Sequence, residues 1–461
     1  MRRRHLLQGS ATALLPASAH ASTIHARPNI VYIHSHDSGR YLSPYKSGVP
    51  APAIARLAQQ GVLFHQVFSG APVCSPSRAA MLTGQPAHRS GMNGLAHRGF
   101  SLNDPQQLIF RYLQRYGYQA VLTGMQHVAA NPNTLGYDRN LCMRDAQGHW
   151  LSEASVVAPV AERFLDSRPR QPFFLDVGFF ETHREYPTPQ AQDIAQVRDV
   201  PRSIPDTPET RYDFAAFGAS VRQLNHGVSR VLDALSRNGY DRNTLVIFTT
   251  DHGLPFPRMK CTLTDEGLGT AFIMRGPGLA AGQENHTLIS QTDLFPTLCA
   301  YLNLPAPAWL TGTSFLPCLM GHDAEIHETI FAEVSYHAAY EPMRAVRSKR
   351  WKYIRRFDQR NTPVLPNCDD SPSKNVWLAA GWKSQHVPEE ALYDLTFDPT
   401  EHDNRVHDPD CQAVLQDMRR KLLTWMQQTQ DPLLNGPVRA PSGAVVNRVD
   451  GISPHEPPVP A

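Results

Sequence analysis

Asn29-Ile30-Val31-Tyr32-Ile33-His34-Ser35-His36-Asp37-Ser38-Gly39 is the stretch on which the architecture turns. Its first five residues form a short run rich in β-branched and aromatic side chains, which reads as a buried strand. The run then stops in polar residues, where a strand would emerge from a sheet. The same pattern recurs downstream. Residues 51–60 read as a helix, with Gly61 suited to the left-handed position that ends one. Residues 108–116 read as helix, 119–123 and 173–180 as strands, 212–237 as a long amphipathic helix and 245–250 as another buried strand. This alternation predicts an α/β fold, a large and mostly parallel sheet flanked by helices on both faces. In such sheets functional groups gather beyond the carboxyl ends of the strands. Asp37, His183 and the pair Asp251-His252 all fall at such ends, which predicts a single site.

From about residue 328 the texture changes. Residues 351–357 alternate like a solvent-facing strand, 392–395 read as another, and a helix follows from 411 to about 428. These make a smaller α+β domain over residues 328–436, beside a catalytic domain over 27–327. The last 25 residues, 437–461, are proline-rich and without periodicity, and read as a surface-bound or flexible tail.

A formal net charge of +2 gives no reason to expect a nucleic-acid partner or an anionic membrane surface. No apolar run of about 20 residues is present, so no membrane span is expected. Residues 1–21 instead carry a basic start with Arg3-Arg4, a short apolar stretch and Ala19-His20-Ala21. That pattern predicts an export signal of twin-arginine type, and so a bacterial periplasmic location. The 7 cysteines make neither a zinc pattern nor a dense disulfide framework. One or two bridges among Cys142, Cys261, Cys299, Cys318, Cys368 and Cys411 stay open, with Cys74 set apart.

Cys74 opens the run Cys74-Ser75-Pro76-Ser77-Arg78-Ala79-Ala80-Met81-Leu82-Thr83-Gly84. Pro76 and Ser77 suit the start of a helix, which puts Cys74 near a helix N-terminus, where anions are favoured. Arg78, one turn on, can hold an oxyanion. This run resembles the sulfatase signature C-x-P-S-R-x-x-x-[LM]-T-G at every fixed position, so the chain resembles the sulfatase family of the alkaline-phosphatase superfamily. The resemblance covers nearly all of the chain after residue 26. It implies an alkaline-phosphatase-like fold and a formylglycine made from Cys74 by a formylglycine-generating enzyme. It also implies a divalent metal, calcium in the family, held by Asp37, Asp251, His252, His36 and the modified Cys74. His36 and His252 stand where the family usually has Asp and Asn. Imidazole suits manganese or zinc better than calcium, so those ions are alternatives.

The same resemblance assigns Arg78, His127 and Lys260 to the sulfuryl oxygens and His183 to the leaving group. It also shows a gap, since Met125 occupies the place of the family's usual lysine, two residues before His127. Within the family the likeness is to the N-sulfoglucosamine sulfohydrolase (heparan N-sulfatase) branch. It is carried by Gly91-Met92-Asn93-Gly94-Leu95, Asp251-His252-Gly253-Leu254-Pro255-Phe256-Pro257 and Pro342-Met343-Arg344. The implied substrate is a sulfated oligosaccharide ending in N-sulfoglucosamine, with Tyr336, His337 and Arg344 as sugar contacts, and a homodimer stays open. The alternatives are a glycan O-sulfatase, a phosphonate or phosphodiester hydrolase of the same superfamily, and a degenerate anion- or glycan-binding protein.

Overall fold

The computed structural model describes residues 27–45 and 48–461, so the export signal expected at 1–21 lies outside the described residues. Eight strands form the main sheet, in the spatial order Gln283–Asn285, Val62–Phe64, Phe272–Arg275, Thr244–Thr250, Asn29–Ser35, Phe173–Gly178, Gln119–Gly124, Arg139–Asn140. Asn29–Ser35 is central, parallel to Phe173–Gly178 on one side and to Thr244–Thr250 on the other. Only Phe272–Arg275 runs antiparallel to its neighbours, so the sheet is mixed but mostly parallel.

Side-chain alternation makes this strand the divider of two apolar layers. Ile30 and Tyr32 join Phe174, Leu245 and Ile247 on one face. Val31 and Ile33 join Leu175, Val246 and Phe248 on the other. The second layer is closed by the helices Pro52–Gln59, Ala154–Asp166 and Pro208–Arg237, whose apolar faces supply Leu57, Phe164, Phe217 and Leu224. The long helix starts on Pro208 and is capped by Thr207, whose hydroxyl accepts from the Thr210 N–H.

Gly61 has another reason to be glycine than the one its position suggested. The Pro52–Gln59 helix ends on Gln60 in a right-handed conformation, without a left-handed glycine. A Cβ on Gly61 would instead lie 2.3 Å from the Met274 carbonyl oxygen, because the chain passes tightly beside the Phe272–Arg275 strand.

A second, four-stranded antiparallel sheet follows, in the order Thr329–Tyr336, Tyr340–Ser348, Trp351–Arg356, Glu390–Asp394. The helix Gln412–Gln428 packs Leu415, Met418, Leu422 and Met426 into the core. The Trp351–Arg356 strand is not solvent-facing, since Lys352, Tyr353 and Arg356 are buried. Lys352 tolerates this because its ammonium meets Asp265 at 2.6 Å and Glu401 at 2.9 Å. The proline-rich end is docked, with Val438 and Ala444 buried and Val445–Val446 paired with Val459–Pro460. All seven cysteines are free, so none of the bridges left open by the sequence is present among the described residues.

Candidate active site

The residues 74–84 fold as the sequence reading anticipates. Cys74–Thr83 is a helix with Cys74 at its first position and Gly84 closing it at φ 66°. Its polar residues fasten this end to the sheet edge and to the turn Ala96–Arg98. Ser77 Oγ donates to the Asp251 carbonyl at 2.6 Å, and Ser75 Oγ accepts from Ala96 N–H at 3.0 Å. The thiol is therefore buried at a helix N-terminus, directly beyond the ends of the central strands. Burial raises the Cys74 thiol well above its ordinary pKa.

Asp37, Asp251, His36 and His252 converge on this sulfur. His252 Nε2 lies 3.5 Å from Cys74 Sγ and 3.3 Å from Asp37 Oδ1. His36 Nδ1 lies 2.7 Å from Asp37 Oδ1 and 3.4 Å from Asp251 Oδ2. All four side chains are essentially inaccessible. Asp37 takes a left-handed backbone, φ 55°, and its N–H donates to Asp251 Oδ1 at 2.9 Å, which locks the two strand ends together.

Burial by itself would raise both carboxyls. Lys260 first, then His36 and His252, hold Asp37 well below the usual range, while His252, His36 and Arg78 do the same for Asp251. His36 is the reverse case, with burial pushing it down to about 4. Two ionised carboxylates thus face two imidazoles and the Cys74 thiol in a buried space.

That donor set fits a divalent cation. His36, Asp37, Cys74 and Asp251 bring ligand atoms within 4.8 Å of one another. Separations of 3.3–4.0 Å among these groups suit ligands at about 2.0–2.4 Å around one ion, while the 2.7 Å His36–Asp37 contact is a hydrogen bond. His36 in that group, and His252 beside it at 3.3 Å from Asp37 Oδ1, offer nitrogens, which suit manganese or zinc at least as well as calcium.

The cationic residues sit around this centre. Arg78, 1% exposed, donates from Nη2 to Asp251 Oδ2 at 2.9 Å and to the Ser35 carbonyl at 3.1 Å. Lys260 Nζ lies 2.9 Å from Asp37 Oδ2 and 3.0 Å from Asp369 Oδ2. Although burial works against its charge, Asp369 and Asp37 raise the Lys260 pKa well above normal. His183 Nε2 lies 3.5 Å from Lys260 Nζ and 3.9 Å from Asp37 Oδ2. Its Nδ1 pairs with the Arg184 carbonyl, which leaves Nε2 as the nitrogen that faces the site. The His127 ring lies tilted against that of His36, with centroids 5.5 Å apart, and Met125 continues the backbone ladder to Gly178.

The structure therefore brings Cys74, Arg78, His127, His183, Lys260, Asp37, Asp251, His252 and His36 into one cluster. Arg344 does not belong there. It is wholly buried and bound to Asp431 at 2.5 Å, so it makes no sugar contact. Tyr336 donates to the Val438 carbonyl and is likewise occupied.

Three residues at the site carried no sequence signal. Asp369 meets Lys260 from a loop more than a hundred residues away. His34 pairs with Arg78 Nη1 and passes its other nitrogen to Asp176 Oδ1 at 2.8 Å, a chain closed by Tyr137. His97 pairs its Nδ1 with His127 Nε2 at 3.1 Å. Of these, the regular alternation of the first strand could have placed His34 beside Tyr32, on one face.

The sulfatase family model matches residues 28–304, well over half of the chain. The chain belongs to the sulfatase family. A second family model, described as N-sulphoglucosamine sulphohydrolase, C-terminal, matches residues 259–377 of this sulfatase. Over 471 residues the sulfatase is 29% identical to the human protein named N-sulphoglucosamine sulphohydrolase, covering 89% of this chain and 92% of that one. It is 27% identical to a Formosa agariphila protein named ulvan-active sulfatase, covering 91% of this chain and 84% of that one. Its fold matches a solved structure in complex with its substrate D-glucosamine-2-N,6-O-disulfate at TM-score 0.71 and 18% identity, over 89% of this chain and 99% of that one. The family generally uses a metal and a formylglycine, and hydrolysis of sulfate from sulfated sugars follows as this sulfatase's activity.

Proposed function

We propose that this sulfatase removes the N-sulfate of a glucosamine at the non-reducing end of a heparin or heparan sulfate fragment, working from a formylglycine made at Cys74. The observation that carries the chemistry is the position of the buried Cys74 sulfur. It sits at a helix N-terminus, 3.5 Å from His252 Nε2 and 4.0 Å from Asp37 Oδ1. The substrate class leans on the C-terminal family match and on the name of the human relative.

The formylglycine supplies a hydrated-aldehyde oxygen as nucleophile, and a divalent cation held by Asp37, Asp251, His36 and His252 supplies Lewis acidity beside it. Arg78, anchored on Asp251 and Ser35, fixes the modified side chain and balances charge at the sulfuryl oxygens. Lys260, held between Asp37 and Asp369, adds positive charge for those oxygens, and His127 presents a buried Nδ1 without a hydrogen-bond partner. His183 holds a proton at Nε2 for the departing nitrogen. A sulfamate needs that proton as its S–N bond breaks, whereas an activated aryl sulfate does not. With Met125 in the lysine position, Lys260 carries more of the sulfuryl charge. The leader pattern read in the sequence at 1–21 supports a site of action outside the cytoplasm, and the Cys74 signature supports a formylglycine-generating enzyme as the maturation partner.

Incubation with N-sulfated and 6-O-sulfated glucosamine disaccharides, with released sulfate measured, tests the substrate. Release only from the 6-O-sulfated sugar overturns the N-sulfatase reading and leaves an O-sulfatase. A phosphonate monoester hydrolase is the second reading, favoured by His252 beside the nucleophile, and faster turnover of phenyl phosphonate than aryl sulfate would establish it. His183→Ala is expected to cost sulfamate cleavage on the order of 10²-fold or more, and aryl sulfate cleavage much less. For the metal, Asp251→Ala is expected to lower bound metal by elemental analysis. Competition among calcium, manganese and zinc then reads which ion the two histidines favour.

A further inference from the structure

The loop 447–456 lies beyond both family matches, which end at residues 304 and 377. It is stitched to itself and docked on three loops that edge the site. Asn447, only 2% exposed, donates to the Glu456 carbonyl at 2.9 Å, and Glu456 Oε1 accepts from the N–H groups of Ile452 and Ser453 at 2.7 and 3.1 Å. The result is a preformed, closed turn.

Its three contacts each fall one residue away from a site-edge side chain. Arg98, next to His97, donates to Asn447 Oδ1 at 2.7 Å and to the Pro454 carbonyl at 3.3 Å. Ala338, next to the buried His337, accepts from Asn447 N–H at 2.7 Å. Asp370, next to Asp369, accepts from the Ser453 hydroxyl. Lys374 completes the third contact. Its buried ammonium donates to the Cys368 carbonyl at 2.7 Å, to Asp370 Oδ1 at 2.8 Å and to the Ile452 carbonyl at 2.6 Å. The residues on both sides of Asp369 are thereby pinned to the loop.

We propose that loop 447–456 is a clamp that positions Asp369 against Lys260, and so sets where the Lys260 ammonium sits relative to the sulfuryl group. The proposal rests on the reading of Lys260 as a cation for those oxygens. Lys260 is shared between Asp37 and Asp369 at 2.9 and 3.0 Å, so a shift of Asp369 moves the ammonium toward Asp37. Displacements of about 1 Å in a site can cost on the order of 10²-fold in rate. Neither the loop nor Asp369 touches the reacting atoms in this scheme, so both are positioning elements.

The test compares Ser453→Ala/Asn447→Ala with wild type in the full-length enzyme, each with and without Asp369→Asn. Ser453→Ala alone carries it if the double variant does not fold, and Ser453→Thr keeps the hydroxyl as a conservative rescue. For aryl sulfate turnover, the clamp substitutions are expected to lower kcat by about 5- to 20-fold, with KM within about 2-fold, unchanged metal content and unchanged Cys74 maturation. In the Asp369→Asn background they should cost less than about 2-fold more, because the same interaction is already lost. Ser453→Thr should keep wild-type kcat. The affinity for inorganic sulfate, measured by calorimetry on Cys74→Ala protein, should follow the same non-additive pattern without any turnover. Equal losses in both backgrounds, or a lowered Tm with kcat unchanged, would overturn the clamp. If sulfate binding follows this pattern across the variants yet the wild-type enzyme cleaves neither a sulfate ester nor a sulfamate, the sulfatase mechanism is overturned and the clamp stands.

Discussion

Two knots of buried charge, one at each sheet, are assembled from the same residue types and finished differently. In the second sheet, Arg344 donates to both Asp431 oxygens, to the Val334 carbonyl at 2.8 Å and lies 3.4 Å from Glu333. His88 covers Glu333 through its ring and its backbone N–H, and Asp431 also accepts from Leu433 N–H. That knot is closed. At the main sheet, Asp37 and Asp251 point at a common centre shared with Cys74, and His36 Nε2 and His127 Nδ1 are buried without a hydrogen-bond partner. Buried polar groups left open carry a cost that folding alone does not reward, which supports our proposal of the open knot as the ligand site. The closed one holds the strand pair together.

The comparison breaks most sharply at the nucleophile. Cys74→Ala is expected to lower turnover on the order of 10⁴-fold or more while circular dichroism stays that of the wild type. Retained activity would remove the mechanism altogether. Peptide mass spectrometry across Cys74 on active protein should show the mass change of the aldehyde.

At the closed knot the balance should invert. Arg344→Met strands two carboxylates in the interior and is expected to destabilise the protein by about 3–5 kcal/mol in denaturant titration, with kcat per folded molecule unchanged. Arg78→Met, made for comparison, should lose far more activity than stability. If both variants lose the two together, the distinction between the knots fails.

A smaller effect separates them by pH. Glu333 is pulled down from 4.5 to about 2, burial notwithstanding, by His88 and Arg344. Its folded value lies below its unfolded one, so its contribution is present above pH 4.5 and disappears as pH falls toward 2. His337, beside the open site, is pushed well below 6.5 by burial, with Lys260 adding to it. It too favours the unprotonated state when folded, so its contribution begins to fall below pH 6.5. Acid unfolding followed by chemical denaturation should therefore show two stages. His337→Asn should reduce the one that begins near 6.5, which His36 and His127 share because burial lowers them too. Glu333→Gln should reduce the one below 4.5, which Asp37 and Asp251 share.

Much of this protein was legible in the order of its residues. The apolar run at 29–33, the polar break after it and its repeats at 173 and 245 give a mostly parallel sheet, because strand burial on both faces demands continuous apolar runs. Asp37, His183 and Asp251 could be grouped because strand ends in such a sheet lie on one edge. Pro76 and Ser77 marked a helix start near Cys74 by a local rule, whereas the closing role of Gly84 at φ 66° came with the structure.

What the sequence could not decide is whatever depends on pairing across long separations. Gly61 looked like a helix terminator and is instead a close approach to Met274. Lys352 alternated as a surface residue and is buried because Asp265 and Glu401, distant in the chain, arrive to meet it. Arg344 looked free to bind sugar until Asp431 occupied it. Asp369, His34 and His97 gained their places at the site by the same route. Local propensity and period read from neighbours fix which residues lie at strand ends and helix starts. Which charge neutralises which is settled only when the fold brings them within a few ångströms, since charges interact strongly only at short range in a buried, low-dielectric space.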